Sequence, residues 1–219
     1  MVVDDDGSSM GMDPGLLESE LLADTLSVAM STGGEFAEVF VEDRRSTSAV
    51  LDDGRIEELS SGRDRGAGIR VILGETTGFA HTADLSPVGL RAAAEAASAA
   101  ARSGGGGVNS VALDGPSGPP PAVVSVLPAD VPKARKVALL QRADAAARSI
   151  DGAISQVSAR YGDSQRRIQV ANSEGLLTGD RQIRTLFSVS CVAAGDIGLQ
   201  TGRESVGPVS YTHLRAHET

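Results

Sequence analysis

The chain has 219 residues, and its 20 Lys and Arg against 29 Asp and Glu give a formal net charge of −9 at pH 7. Hydrophobic residues make up 41% and charged residues 22%, which is close to ordinary globular usage and excludes wholesale disorder. The acidic balance and the aromatic content of 3% argue against a nucleic-acid groove, because such grooves combine basic side chains with aromatic stacking surfaces. The length admits one large or two small domains.

The compartment is expected to be the cytoplasm. Cys191 is the single cysteine, so neither an internal disulfide framework nor a Cys-rich zinc site can form. Residues 4–6 are all aspartate where a secretory signal would be positive, and no apolar h-region follows. No run of about 18 apolar residues is present, so no membrane-spanning segment is expected.

The first half predicts a helix, several strands and a second helix. Residues 1–15 are acidic and rich in Gly and Ser, which is typical of a disordered leader. Apolar spacing predicts a helix over 16–30, with Gly33 and Gly34 as a stop signal. From Phe36 to Glu42 apolar and acidic residues alternate, which predicts a strand whose Val39 and Val41 share one face.

Further short strands are predicted before and after a hairpin turn at Asp53-Gly54, a dipeptide that tolerates the positive φ of a type I′ turn. These strands cover 48–53, 55–60 and 68–81, so residues 36–83 are predicted to form an antiparallel meander. The Ala-rich run that opens at Ser86-Pro87 is expected to be helical.

The second half repeats this order of elements. Gly and Pro dominate residues 103–121, and 103–129 is therefore predicted to be a linker. Asp130 and Pro132 precede an amphipathic helix over 133–150, with Val137, Leu140, Ala143 or Asp144, and Ala147 on one face. Four short strands are predicted after it, separated by turns at 162–163, 173–175 and 195–196. The expected fold class is α+β, with two units of helix plus antiparallel strands joined by a Gly/Pro-rich linker.

Three histidines limit any metal or acid–base chemistry. His81 has no partner carboxylate or nucleophile marked by spacing, so a satisfied or exposed strand histidine is favoured over a general base. His213 and His217 have the i, i+4 spacing of a helical zinc pair. Glu218, however, follows the second histidine, whereas H-E-x-x-H needs its Glu beside the first.

Other candidate motifs favour structural roles. Gly66 and Gly68 fit neither a Walker loop nor a dinucleotide fingerprint and are interpreted as glycines at bulges and a tight β turn. Cys191 lies in an apolar strand, which favours a buried, inert thiol over a nucleophile. The short arginine clusters at 63–70 and 166–167 are interpreted as solvated strand faces. No catalytic or metal-binding residue is predicted, and the substrate-binding residues stay unknown.

Two blocks of sequence resemble the TldD/PmbA family, whose older name is modulator of DNA gyrase. The first block runs from Ala37 to Thr82 and continues into the Ala-rich helix, and the second covers 161–196 and 201–207. The resemblance implies a zinc metallopeptidase that hydrolyses unfolded or small peptides and assembles with a second family subunit as a heterodimer. The family motif H-E-x-x-x-H is absent here, so none of its catalytic residues is carried over.

Composition and the resemblance together predict the following organisation: a leader at 1–15, an N-terminal domain at 16–102, a linker at 103–129, a central domain at 130–207 and a tail at 208–219. The tail does not follow the family pattern and resembles translated sequencing-adapter read-through, so we expect it to be non-native. The leading hypothesis is the N-terminal part of a TldD-like peptidase, truncated before its zinc domain and inactive alone. Alternatives are a non-catalytic PmbA-type partner subunit and a peptide- or protein-binding module. Neither nucleic acid nor membrane is expected as a partner.

Overall fold

The computed structural model describes residues 15–102, 112–113, 126–150 and 152–207. Over these residues three α-helices accompany one antiparallel sheet of six strands, in the spatial order β3-β2-β1-β4-β5-β6. In chain order the elements are α1 Ser19–Ala29, β1 Phe36–Asp52, β2 Arg55–Leu73, β3 Thr76–Thr82, α2 Pro87–Ala101, α3 Lys133–Ile150, β4 Ile154–Asn172, β5 Leu177–Gly195 and β6 Gly198–Val206. The predicted α+β class is confirmed.

Four of the strands are much longer than predicted. The segments expected as separate strands at 36–42 and 48–53 form the single 17-residue strand β1. Strands β2, β4 and β5 each have 19 residues and join segments that had been separated in the same way. The prediction was wrong because polar residues and a Gly-Asp pair in mid-strand suggested turns. In the sheet β1 and β4 have a neighbouring strand on each side, so their main-chain groups are paired whatever the local side-chain pattern.

Several local predictions are confirmed. Asp53 and Gly54 have φ values of 46° and 80°, as a type I′ hairpin between β1 and β2 requires. Val39 and Val41 are fully buried, whereas the side chains that alternate with them are partly exposed. Ser86 caps α2 by accepting a hydrogen bond from the amide of Gly89, and Pro87 occupies the first turn. Gly33, after α1, has a φ of 89°.

The chain divides into two compact units that each draw on both halves of the sequence. Among the described residues, unit 1 comprises 15–43, 64–102, 112–113 and 167–181, and unit 2 comprises 44–63, 126–150, 152–166 and 182–207. The predicted order was instead consecutive, with domains at 16–102 and 130–207, and those boundaries stay a prediction. The leader up to residue 14, most of the linker and the tail from 208 lie outside the described residues.

The core of unit 1 forms where α1 and α2 pack beside each other and against the ends of the strands. Helix α2 contacts both β3 and α1. Its alanines let the helix backbone approach the sheet closely, and at Gly78 the approach is so close that a Cβ would lie 2.0 Å from the carbonyl oxygen of Ala97. The largest fully buried side chains of this core are Leu22, Leu26, Val39, Val41, Ile69, Val71 and Leu90.

The core of unit 2 contains α3 and residues of β1 and β4. Leu139 and Leu140 of the helix are buried with Leu51 and Tyr161 of the strands. The predicted helix face is buried at Leu140 and only half-buried at Val137, because the centre of the buried stripe lies nearer Lys136. None of the helices in the described residues has the length and apolar content needed to cross a membrane.

Candidate functional site

The most unusual polar feature is a buried ion pair in unit 2. Lys136 Nζ of α3 donates a hydrogen bond to Asp163 Oδ2 of β4 at 2.6 Å, and the two side chains are only 2% and 5% exposed. The same ammonium lies 5.4 Å from the centroid of the Tyr161 ring. Lys136 faces inward because it stands three and four residues before Leu139 and Leu140, on the same side of the helix. Buried charges of this kind persist only when they are paired.

Sequence reasoning missed this pair. The sequence pattern predicted a turn at Gly162 and Asp163 and assigned no role to Lys136. The 3.6-residue period through Leu139 and Leu140 was the available signal, since it places residue 136 on the buried face.

An open cavity of about 530 Å³ lies beside Asp163 in unit 2. Thr185 in its lining is 4% exposed, and its hydroxyl has no hydrogen-bond partner among the described residues. Buried hydroxyls are nearly always hydrogen-bonded, so this group is an exception that needs a reason. The lining consists of Arg44 and Ser46 of β1, Gly162, Asp163 and Ser164 of β4, Ile183, Arg184, Thr185 and Leu186 of β5, and Gly207.

A second polar group lies at the exposed end of β1 and β2. Glu58 Oε1 accepts hydrogen bonds from the hydroxyls of Ser48 and Ser60, and these bonds lower the pKa of Glu58. The Glu58 side chain is exposed, which is typical of a surface network rather than of an acid–base site with a raised pKa.

Asp52, at the end of β1, has similar surroundings. The hydroxyl of Ser158 and the amide of Gln156 donate hydrogen bonds to its carboxylate, and they lower the pKa of Asp52 in that order of importance. The positive charge of Arg160 is a smaller contribution in the same direction for both Asp52 and Glu58. Both carboxylates are therefore held in the ionised form.

The turn between β1 and β2 is tied to α3. Arg148 donates hydrogen bonds to Asp53 and, at 3.1 Å, to Asp144 one helical turn earlier. These two carboxylates raise the pKa of the Arg148 guanidinium, Asp53 more than Asp144. Arg148 therefore joins the hairpin tip to the helix of the same unit.

Strand β2 has an exposed end. Strand β3 pairs with β2 only from Ala67 to Leu73, and residues 55–62 are all exposed. Within the described part of the chain, no strand other than β1 adjoins this end of β2. Ile56 and Leu59 are apolar side chains exposed on this segment. A strand edge of this kind is able to accept an extended segment as an added strand.

His81, Gly66 and Gly68, which the sequence analysis considered as candidate functional residues, lie in the β2–β3 hairpin. His81 is exposed on β3, opposite Gly68 of β2 and 6.4 Å from the ring of Phe79. A Cβ on Gly68 would lie 3.1 Å from the Phe79 ring, and one on Gly66 would lie 2.9 Å from the Thr82 carbonyl oxygen, so both glycines serve the close pairing of a hairpin.

Cys191 is half-exposed in β5, opposite Gly202, rather than fully buried as predicted. The prediction was wrong because β6, the strand beside it, has no covering layer among the described residues and is itself almost entirely exposed. His213, His217 and Glu218 lie outside the described residues.

The described residues do not fit a catalytic metal. No group of three or more His, Cys, Asp and Glu side chains among them is arranged to hold a metal ion. A catalytic zinc site needs three protein ligands. No metal-dependent step is therefore derived from these residues.

Two family profiles match the chain in order. The profile described as PmbA/TldA metallopeptidase domain 1 matches residues 37–101, and that of the PmbA/TldA metallopeptidase central domain matches residues 127–213. The chain belongs to the PmbA/TldD metallopeptidase family. The resemblance inferred from the sequence blocks is thus confirmed.

Curated relatives agree with this family. A metalloprotease of Methanothermobacter thermautotrophicus is 33% identical over 174 residues, which are 79% of this chain and 37% of the relative. A metalloprotease TldD homolog of Haemophilus influenzae is 28% identical over 178 residues, which are 81% of this chain and 36% of the relative. The chain therefore spans little more than a third of the length of these relatives.

Solved structures share the fold at low sequence identity. A protein of Thermotoga maritima described as a modulator of a DNA gyrase superimposes with a TM-score of 0.75 at 16% identity, over 91% of this chain and 45% of its own. TldE from Thermococcus kodakarensis superimposes with a TM-score of 0.68 at 18% identity, over 86% of this chain and 42% of its own. At this level of identity the similarity establishes the fold alone.

Proposed function

We propose that this chain is the N-terminal part of a TldD-like zinc metallopeptidase that hydrolyses peptide bonds in unfolded or small peptides. The supporting observation is the match, in order, of the first and central domains of the family, together with relatives named metalloproteases that are more than twice as long as this chain. Metal-activated water and a Glu base would come from a family motif beyond the matched domains. The residues described here serve as scaffold and docking surface.

The peptide-docking role rests on the end of β2. Residues 55–62 offer a strand edge, and an extended substrate bound there would be held mainly by its main chain, with little dependence on its sequence. Binding of this type tolerates scrambling of the peptide sequence but is lost when alternate peptide nitrogens are methylated. Equal binding of the methylated and the unmethylated peptide would contradict the docking role.

A second candidate is a PmbA-type subunit that lacks the metal motif and serves a catalytic partner. The structural similarity to TldE is compatible with this alternative as well. In both cases we propose a cytoplasmic protein that acts in a heterodimer with a second family subunit.

Sequencing the source DNA across codon 207 tests the proposal directly. A reading frame that continues into H-E-x-x-x-H supports the peptidase, whereas a longer frame without this motif supports the partner subunit. The encoded full-length protein is then assayed for peptide cleavage that a chelator abolishes, with the 219-residue chain as the inactive control. Chelator-sensitive cleavage by the 219-residue chain itself would overturn the assignment of the catalytic residues to another part of the protein.

A further inference from the structure

We propose that the open face of the unit 1 sheet, which is the face turned away from α1 and α2, is the docking surface for the part of the family protein that follows its first and central domains. The inference rests on one element of the proposed function, namely that this chain is the N-terminal part of a longer protein. It does not depend on peptidase activity.

Side-chain alternation separates the open face from the core beneath the helices. Val39 and Val71 belong to that core, so the residues beside them in sequence point to the other side of the sheet. Arg70 lies 5.8 Å from the centroid of the Phe36 ring and opposite Phe79 in the strand register, which places these three side chains on the open face. The apolar residues of the open face are Phe36, Phe40, Ile72, Phe79, Ile168 and Val170.

The strands of unit 1 are apolar on both faces. Glu38 is the only polar residue of 36–41, and Arg70 is the only polar residue of 69–73. An antiparallel sheet with one face in water instead alternates apolar and polar residues, and uninterrupted apolar runs are typical of strands that are covered on both sides. Phe79 is nevertheless 61% exposed, and three of the four phenylalanines of the chain lie on this face. Exposed apolar patches of this kind mark interaction surfaces.

The two polar residues that interrupt these runs neutralise each other. Arg70 donates a hydrogen bond to Glu38 at 3.3 Å, and both side chains are partly exposed on the open face. A partner that covered the face would therefore bury a paired charge rather than an isolated one, which is the tolerable case. The charge pattern of this face thus suits a partner with an apolar surface.

The same strands have a different character in unit 2. Their side chains that point away from α3 are mostly hydroxyls and guanidinium groups, which water solvates well. The polar residues at these positions include Arg44, Ser46, Ser48, Ser158, Arg160 and Ser164. The two-sided apolar pattern is therefore a property of unit 1 and not of long strands in general.

The missing part of the family protein is the occupant that the observations favour. The described residues nearest the predicted leader and linker, Leu16, Leu17 and Leu113, pack against the helix-side core of unit 1 and not on its open face. The matched segments are 37% and 36% of two curated relatives and 45% of the Thermotoga structure, so more than half of each protein lies outside them. A further domain of the same protein would bury the open face permanently.

Thiol labelling of a reporter cysteine tests this surface. His81→Cys places the reporter on the open face beside Phe79 and keeps all the apolar side chains, while Cys191→Ser removes the natural thiol. The 219-residue chain is compared with the longer protein encoded beyond codon 207. We expect the reporter to react at least about tenfold more slowly in the longer protein, because a docked domain must open before the reagent enters. Val88→Cys on α2, at a position 77% exposed, is the matched control and should react equally in both proteins.

Thermal unfolding provides a second measurement. Phe79→Ser should lower the melting temperature of the longer protein by a few degrees and leave that of the 219-residue chain nearly unchanged, since the ring is buried only when the domain is docked. Val88→Ser removes an exposed apolar side chain of the same unit and should change neither protein. An equal effect of Phe79→Ser on both proteins would contradict the docking role.

The labelling result is separable from the proposed peptidase activity. A protected reporter in a longer protein without chelator-sensitive cleavage supports the docking surface and removes the peptidase, whereas cleavage with equal labelling in the two proteins overturns the docking surface alone. Slow labelling of the 219-residue chain itself would also overturn it: protection that increases with protein concentration would identify a second copy as the occupant, and protection independent of concentration would identify a segment of this chain. A reading frame that ends at codon 219 would remove both proposals.

Discussion

Lys136 of α3 and Asp163 of β4 form an ion pair inside unit 2, with 2.6 Å between Nζ and Oδ2 and the ring of Tyr161 beside the ammonium. Both charges are removed from water, so their mutual attraction must offset the loss of hydration of each. The pair therefore constrains which substitutions α3 tolerates, although it is not by itself a large source of stability.

Replacing one partner of this pair is expected to destabilise the protein strongly. Lys136→Met leaves the Asp163 carboxylate buried without its counterion, which costs about 3–5 kcal/mol by analogy with other broken buried pairs. The free energy of unfolding from urea titration measures this loss. The double variant Lys136→Met with Asp163→Leu should recover most of it, and Lys133→Met, at an exposed position of the same helix, should change stability by less than about 0.5 kcal/mol. A double variant no more stable than the single one would contradict this account.

A second expected weak point is the contact of α2 with β3. Gly78→Ala would place a Cβ 2.0 Å from the Ala97 carbonyl oxygen and 2.5 Å from the Ala101 amide nitrogen, both of which are backbone atoms. Overpacking of this kind costs about 1–3 kcal/mol or more, because the helix must move away from the sheet. Gly202→Ala is the matched control, since a Cβ there meets nothing within 4 Å. Urea titration of the two variants should show a loss for the first only.

The sequence correctly predicted those features that depend on only a few neighbouring residues. The hairpin at Asp53-Gly54 and the first turn of α2 at Pro87 follow from backbone preferences of a few residues, and both are present. The continuity of β4 through Gly162-Asp163 does not follow from local preference, because neighbouring strands on both sides pair its backbone.

The cavity beside Asp163 could not be predicted from the sequence. Arg44, Asp163 and Thr185 lie on three different strands and have no spacing in common. Only the sheet order brings them together, with β4 between β1 and β5. Residues 55–60, in contrast, were predicted as a strand from the sequence, but their position at an edge depends on how short β3 is.

The carboxylates of Asp52 and Glu58 should make stability depend on pH in the acid range. Their pKa values are lower in the folded protein than the ordinary 3.8 and 4.5, because Ser158 and Gln156 donate to Asp52 while Ser48 and Ser60 donate to Glu58. A lowered folded pKa means that the contribution is fully present above the unfolded pKa and is lost as the pH falls through the folded value. The melting temperature should therefore decrease as the pH falls from the ordinary pKa values to the lower pKa values of the folded protein.

Serine variants separate the two groups. Ser158→Ala should raise the pKa of Asp52 towards 3.8 and leave that of Glu58 unchanged. Ser48→Ala should raise the pKa of Glu58 towards 4.5 and leave that of Asp52 unchanged. Carboxyl carbon NMR titration follows each group individually, so each variant is the control of the other. If neither pKa moved, the hydrogen bonds would not be the cause of the lowered values.

The hairpin between β1 and β2 provides the last prediction. Gly54 has a φ of 80°, a left-handed conformation that places a Cβ close to the following carbonyl oxygen, so Gly54→Ala is expected to cost about 1–2 kcal/mol. The cause is backbone strain rather than crowding, since the nearest atom that a Cβ would meet, Asp144 Oδ2, is 4.0 Å away. Gly54→Asn should restore part of the stability because Asn tolerates this conformation, and Gly152→Ala, with open space and no positive φ, should be nearly neutral. Equal urea midpoints for the Ala and Asn variants at position 54 would show that backbone strain does not determine the stability of the hairpin. The ion pair between Arg148 and Asp53 would then be the better explanation of how the hairpin is held in place.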